Sequence, residues 1–171
     1  MRILGASNKK NGVKYTNVHH PTQPRMTRIN SAIPVKNLTD EHLLAEHREI
    51  KRLPYQWCKS YNNSFISLAP EKFTLGKGHV LFFLDKQGFI LKRYNEIHDE
   101  CLKRGFKVED YSENWKYVMS EYMKNYTPTE EERKLLVERI TERIIECPKE
   151  CFHYYGHEIS KPFAIDMLQK F

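Results

Sequence analysis

LTDEHLLAEHREIKRLP, residues 38–54, decides the fold. Thr39 is a residue that caps a helix through its side-chain oxygen, and Asp40 and Glu41 follow where the helix dipole favours acids. The helical pattern then continues to about Leu53, ahead of Pro54. Steps of about 100° per residue place Leu43, Leu44, His47 and Ile50 on one arc. The other arc collects His42, Glu46 and Glu49, with Arg48 and Arg52 beside them. One face is built to pack, and the other is rich in groups that carry charge and protons.

Working outward, residues 54–78 show no sustained period and contain Asn62, Asn63, Pro70, Gly76 and Gly78, which predicts a long loop. A second helix is expected from about Lys86 to Arg104. It would bury Phe89, Leu91, Tyr94, Ile97, Cys101 and Leu102, and close with Gly105 just past its end. Thr127, Pro128 and Glu130 read as the start of a third helix, which continues through Leu135, Leu136, Ile140, Ile144 and Ile145 to Pro148. A shorter helix over Glu113 to Lys124 would place Trp115, Val118, Met119 and Tyr122 on one side. No βαβ rhythm and no internal repeat occurs. The expectation is an all-α fold, a compact single domain of about three main helices with long loops, spanning residues 26–171.

The first 25 residues differ from the rest. Arg2, Lys9, Lys10, Lys14 and Arg25 carry five positive charges with no acid, and Gly5, Gly12, Pro21 and Pro24 interrupt any helix. They read as a disordered basic leader or an upstream mis-assigned start, with no apolar run of the kind a secretory signal needs. Of the net charge of +6 over 171 residues, only +1 is left for residues 26–171. Overall basicity is therefore a weak argument for nucleic-acid binding, and a DNA-contacting surface must be a local patch. No apolar run approaches the roughly 20 residues of a membrane span. Four cysteines, at positions 58, 101, 147 and 151, do not form a secreted disulfide framework, so a reducing, cytoplasmic setting is expected.

Two further patterns invite chemistry. Cys147, Cys151, His153 and His157 have zinc-like residue types, but four ligands so close together leave little chain to wrap a tetrahedral ion. No metal or organic cofactor is expected. Gly76, Gly78 and His79 lack the spacing of a phosphate-binding loop, and are read as a tight turn before the second helix, with His79 buried and hydrogen-bonded.

Five ungapped blocks carry a resemblance: MTRIN at 26–30, LTDEHLLAEHREIKR at 38–52, LGKGHVLFFLDK at 75–86, ECLKRGF at 100–106 and YYG at 154–156. In order and spacing they resemble the pyrimidine-dimer DNA glycosylase family of T-even bacteriophage endonuclease V type. The resemblance implies a compact helical enzyme that flips a nucleotide opposite an ultraviolet photodimer. It implies that the nucleophile is the α-amine of an N-terminal Thr, which falls on Thr27, and that the catalytic carboxylate is Glu49. Arg28, His42, Arg48, Arg52, Arg139 and Arg143 match DNA-contacting positions. Tyr154 and Tyr155 either stack on bases or close the core. The partner implied is double-stranded DNA containing photodimers or abasic sites, bound by a monomer. The family's Trp, Tyr and Lys ahead of Tyr-Tyr-Gly are replaced here by Cys151, Phe152 and His153.

The residue types suit that chemistry. An α-amine is about one-sixth unprotonated at pH 7, whereas an ordinary Lys is about one part in 2,500 free. A terminal amine is thus a nucleophile without any need for burial. A carboxylate beside it can stabilise developing positive charge and move protons to the opening sugar. Two other readings remain open at this stage: a non-catalytic DNA-binding protein that keeps its basic arm, and an abasic-site lyase without dimer specificity.

Overall fold

The computed structural model describes residues 29–170 apart from residue 77. Within them are six α-helices, several 3-10 turns and one two-stranded sheet. Thr27 and Arg28, and the basic stretch before them, lie outside the described residues. No helix among the described residues is long and apolar enough to cross a membrane.

Helix α1 runs Asp40–Ile50, with Thr39 accepting a hydrogen bond from the His42 amide. It ends three residues earlier than expected, because Pro54 begins a helix instead of ending one. A proline in the first turn lacks only an N–H that would have had no partner there. Helix α2, Leu53–Asn62, follows after a two-residue corner and buries Leu53, Trp57 and Ser60. The long loop expected over 54–78 is therefore corrected: it holds α2, a 3-10 turn at Phe65–Leu68 and the start of the short α3, Gly78–Phe82.

Helix α4, Gln87–Lys103, matches the expected second helix and is the centre of the domain. It packs on α1, and Ile90, Tyr94, Ile97 and Cys101 are buried with Leu43 and Ile50 in one continuous core. Gly105 follows it with a φ of 81°, the left-handed conformation that favours glycine at this position. Leu102, expected inside, is exposed. The helix expected over Glu113 to Lys124 is instead two 3-10 turns, Ser112–Tyr117 and Ser120–Tyr122, which still bury Trp115.

Helix α5, Glu130–Glu146, is capped by Thr129 with a reciprocal bond from Glu132, two residues later than the predicted start. Its core contacts come from Leu136, Ile140 and Ile144, while Leu135 and Ile145 face out. The all-α expectation holds in outline, with one small sheet added to it. Strands β1, Cys151–Tyr154, and β2, His157–Ser160, form an antiparallel hairpin before the last helix, α6, Lys161–Gln169. Tyr154 pairs with His157, leaving Tyr155 and Gly156 as a two-residue loop, both at positive φ. That is the dihedral signature of the hairpin turn whose twist matches the strands it joins. The fold is mostly helical, but with six helices in place of three.

A candidate active site at the end of the first helix

The site is best built from the first described residues. The Ile29 amide donates to His79 Nε2 at 3.1 Å, and the His79 Nδ1 atom faces the Thr74 carbonyl at 3.2 Å. Burial, joined by the positive charge of Arg139, pushes the His79 pKa down to about 4. The next residue is fixed through its side chain. Asn30 donates to Glu46 Oε2 at 2.8 Å and accepts from Arg139 Nη2 at 2.8 Å. Glu46 in turn holds Arg93 through Nε at 3.0 Å and Nη2 at 3.2 Å, and Arg93 Nη1 reaches the Ile33 carbonyl at 2.7 Å.

This network corrects one assignment from the sequence. Glu46 is 1% exposed and belongs to the interior, so the charged arc of α1 narrows to His42, Arg48 and Glu49. A buried pair with both carboxylate oxygens occupied holds its geometry firmly, since losing either partner leaves a charge without water. The sequence held a signal for it. Arg93 falls on the apolar stripe of α4 with Ile90, Tyr94 and Ile97, and a cation there must find a buried acceptor.

One turn beyond Glu46, Glu49 accepts from Arg52 Nη1 at 3.1 Å; the Arg side chain is 54% exposed and the Glu 25%. Arg48 is exposed beside them. The corner between α1 and α2 thus gathers a carboxylate and two guanidinium groups at the surface. An open groove of about 360 Å³, lined by Pro54, Tyr55, Cys58, Asn114 and Tyr117, continues from this corner.

The other end of α1 has a different character. His42 Nδ1 lies 2.7 Å from Thr39 Oγ1, and its ring stacks on Phe152 of the hairpin. Asp40 accepts from Arg104 Nη1 at 2.9 Å and from the backbone amides of Tyr155 and Gly156 at 3.2 and 2.8 Å. Arg104 also reaches Glu100 at 2.9 Å and lies against both the Tyr154 and Tyr155 rings. The Tyr154 hydroxyl donates to the Lys36 carbonyl and that of Tyr155 to Glu100. Through these contacts both rings rest against the body of the domain, and each remains half-buried. Their intraprotein partners, and Arg104 among them, were not foreseen from the sequence.

The matching family model spans residues 26–114 and describes pyrimidine dimer DNA glycosylases, so it covers α1, α2, α3 and α4 and the whole corner just described. The chain belongs to the pyrimidine dimer DNA glycosylase family. As a member of that family it is a DNA-repair glycosylase. The family match ends before α5, so Arg139, Arg143 and the hairpin lie beyond the matched region. Arg139 is engaged with Asn30, which gives it a partner in the protein. Arg143 is half-buried on the same helix. Within the match, the structure brings Glu49, Arg48 and Arg52 together and separates them from His42, seven residues and about 10 Å back along the helix.

Proposed function

We propose that this family member removes cyclobutane pyrimidine dimers from double-stranded DNA and then cleaves the abasic site, acting through an imine on the α-amine of Thr27 when that residue is N-terminal. The observation that carries the reading is the double anchoring of Ile29 and Asn30 on His79 and Glu46, one turn from Glu49. Two residues of extended chain span about 7 Å, and one helical turn rises about 5 Å. Those lengths allow an N-terminal amine at residue 27 to approach the Glu49 carboxylate.

In the first step the amine lone pair attacks the sugar C1′. The glycosidic bond breaks and its electron pair leaves with the base, which takes up a proton. Opening of the sugar then places a protonated carbon–nitrogen double bond at C1′. This electron sink acidifies C2′, and loss of a C2′ proton expels the 3′ phosphate with its electron pair. Glu49 stabilises the positive charge and carries protons between the amine and the ring oxygen. Arg28, Arg48 and Arg52 hold phosphates around the extruded lesion. The exposed Tyr55 and Tyr117 rings of the adjoining groove offer faces on which bases stack. His42, Arg139, Arg143, Tyr154 and Tyr155 extend the DNA-contacting surface along the start of α1, α5 and the hairpin. The protein needs no cofactor for these steps and binds as a monomer.

One observation favours a narrower reading, abasic-site lyase activity alone. Phe152 is buried against His42, and His153, although part-exposed, bonds Glu41 through its ring and backbone nitrogens, so both side chains are engaged within the protein. The test is borohydride trapping on DNA carrying an abasic site or a cyclobutane dimer. The full 171-residue chain should be compared with the same chain cut after folding to expose Thr27. A free α-amine has an available lone pair near neutral pH, whereas that of a peptide nitrogen is delocalised into its carbonyl. Adducts from the cut form on both DNAs are expected; adducts on abasic DNA alone select the narrower reading. Equal trapping before and after cutting, with the adduct away from residue 27, would refute the mechanism.

A further inference from the structure

His79 belongs to no step of the chemistry above, yet its surroundings are unusually specific. It is 1% exposed, and its amide donates to the Gly76 carbonyl at 3.2 Å, which ties the residue to the preceding turn. The ring meets the Phe73 and Phe83 rings edge-on, each with centroids 5.3 Å away. That leaves it one orientation. With Nδ1 donating to the Thr74 carbonyl, the lone pair on Nε2 is the acceptor for the Ile29 amide. A proton on Nε2 would set two donors face to face, and burial beside Arg139 disfavours that form.

We propose that His79 is the positioning residue of the nucleophilic segment: its imidazole receives the Ile29 amide and so fixes the backbone two residues downstream of Thr27. The inference rests on the amine mechanism proposed above and adds to it a residue from a different part of the chain. Nε2 is occupied by Ile29, so the imidazole orients the segment and does not take the amine's proton. The turn and the two phenylalanines hold the ring, the ring holds Ile29, and Asn30 is held separately by Glu46 and Arg139. Two attachments on consecutive residues fix a direction as well as a point. A misplacement of about 1 Å between reacting groups can cost a hundredfold in rate.

The test uses the full chain, folded and then cut to expose Thr27, and measures single-turnover adduct formation on abasic DNA together with DNA affinity. His79→Phe keeps an aromatic ring among the phenylalanines but offers no acceptor. It should slow adduct formation at least about a hundredfold while affinity changes by less than about threefold. His79→Gln carries an amide oxygen at a similar reach and should recover at least about tenfold of that loss. Replacing the Ile29 amide by an ester, in a chain assembled by ligation at Cys58, removes the donor and leaves His79 intact; it should reproduce the His79→Phe defect. If His79→Phe fails to fold, the ester form decides alone. Normal rates in the ester form overturn the proposal. So does a parallel fall in rate and affinity with no recovery by Gln, which marks a purely structural residue. An unmodified chain that forms no adduct after cutting refutes the amine mechanism itself, and this inference with it.

Discussion

The two ends of α1 use acidic residues in opposite ways. At its start, Asp40 is buried under Arg104 and two hairpin amides, and Glu41 is held by His153; at its last turn, Glu49 faces Arg52 near solvent. A carboxylate whose acceptor positions are filled by the protein is fixed in structure. One with a single mobile partner can exchange that partner for a substrate. The same residue type is thus structural or chemical according to what surrounds it, and the helix separates the two uses by about two turns.

The largest expected effect would break the structural end. Arg104→Met removes the cation from between Asp40 and Glu100, two buried carboxylates, and should lower unfolding free energy by about 3–5 kcal/mol in urea titrations. A loss below about 1 kcal/mol would mean that water replaces the guanidinium and that this end is no more fixed than the other. Next, Glu49→Gln should leave the urea midpoint unchanged while slowing strand scission at least about a hundredfold. A destabilised protein with normal turnover would invert the comparison. A smaller change is expected for Arg52→Gln: the slope of log affinity against log salt should fall by about one unit. An unaltered slope would remove Arg52 from the phosphate contacts.

The smallest effect tests the hairpin contact through pH. The Glu41 hydrogen bond raises the His153 pKa above its usual 6.5. For Glu41, burial acts upward but is outweighed by the His153 ring and backbone bonds, so its pKa falls below 4.5. The His contribution is complete below the unfolded pKa and lost as pH rises through the folded one; the Glu contribution is present above its unfolded pKa and lost on acidification. The contact should therefore be strongest between about pH 4.5 and 6.5. Urea midpoints at pH 5.5 and 8 should differ more in the native protein than in His153→Gln, and equal differences would exclude the contact.

Legibility from sequence followed the range of the interactions. The Thr39 cap and apolar arc of α1 and the body of α4 rest on local spacing, and were read correctly from it. The start of α5 was displaced because Thr127 with Glu130 and Thr129 with Glu132 have the same spacing; the run Glu130, Glu131 and Glu132 in the first turn fits the second. Glu46 was misplaced because it lies at the border of the two arcs and its partner Arg93 is 47 residues away. The hairpin was missed because its strands have four residues each and its turn reads Tyr-Gly. Its backbone is supported by Asp40, more than a hundred residues earlier. That Glu49, Arg48 and Arg52 share one surface was legible because they lie within about one turn of each other; their roles rest on the resemblance.

The bonds from the hairpin and the last helix to the start of α1 also govern the order of folding. Asp40 to Gly156, Lys36 to Tyr154 and Asn37 to Lys170 join residues 116, 118 and 133 positions apart. Closing loops of that length has an entropic cost that local contacts do not bear, so such pairings form late. The α1–α4 body can collapse first on shorter loops, with the hairpin and α6 closing over it as the last cooperative step. By the same reasoning the C-terminal segment is expected to be released early in unfolding, ahead of the corner bearing Glu49.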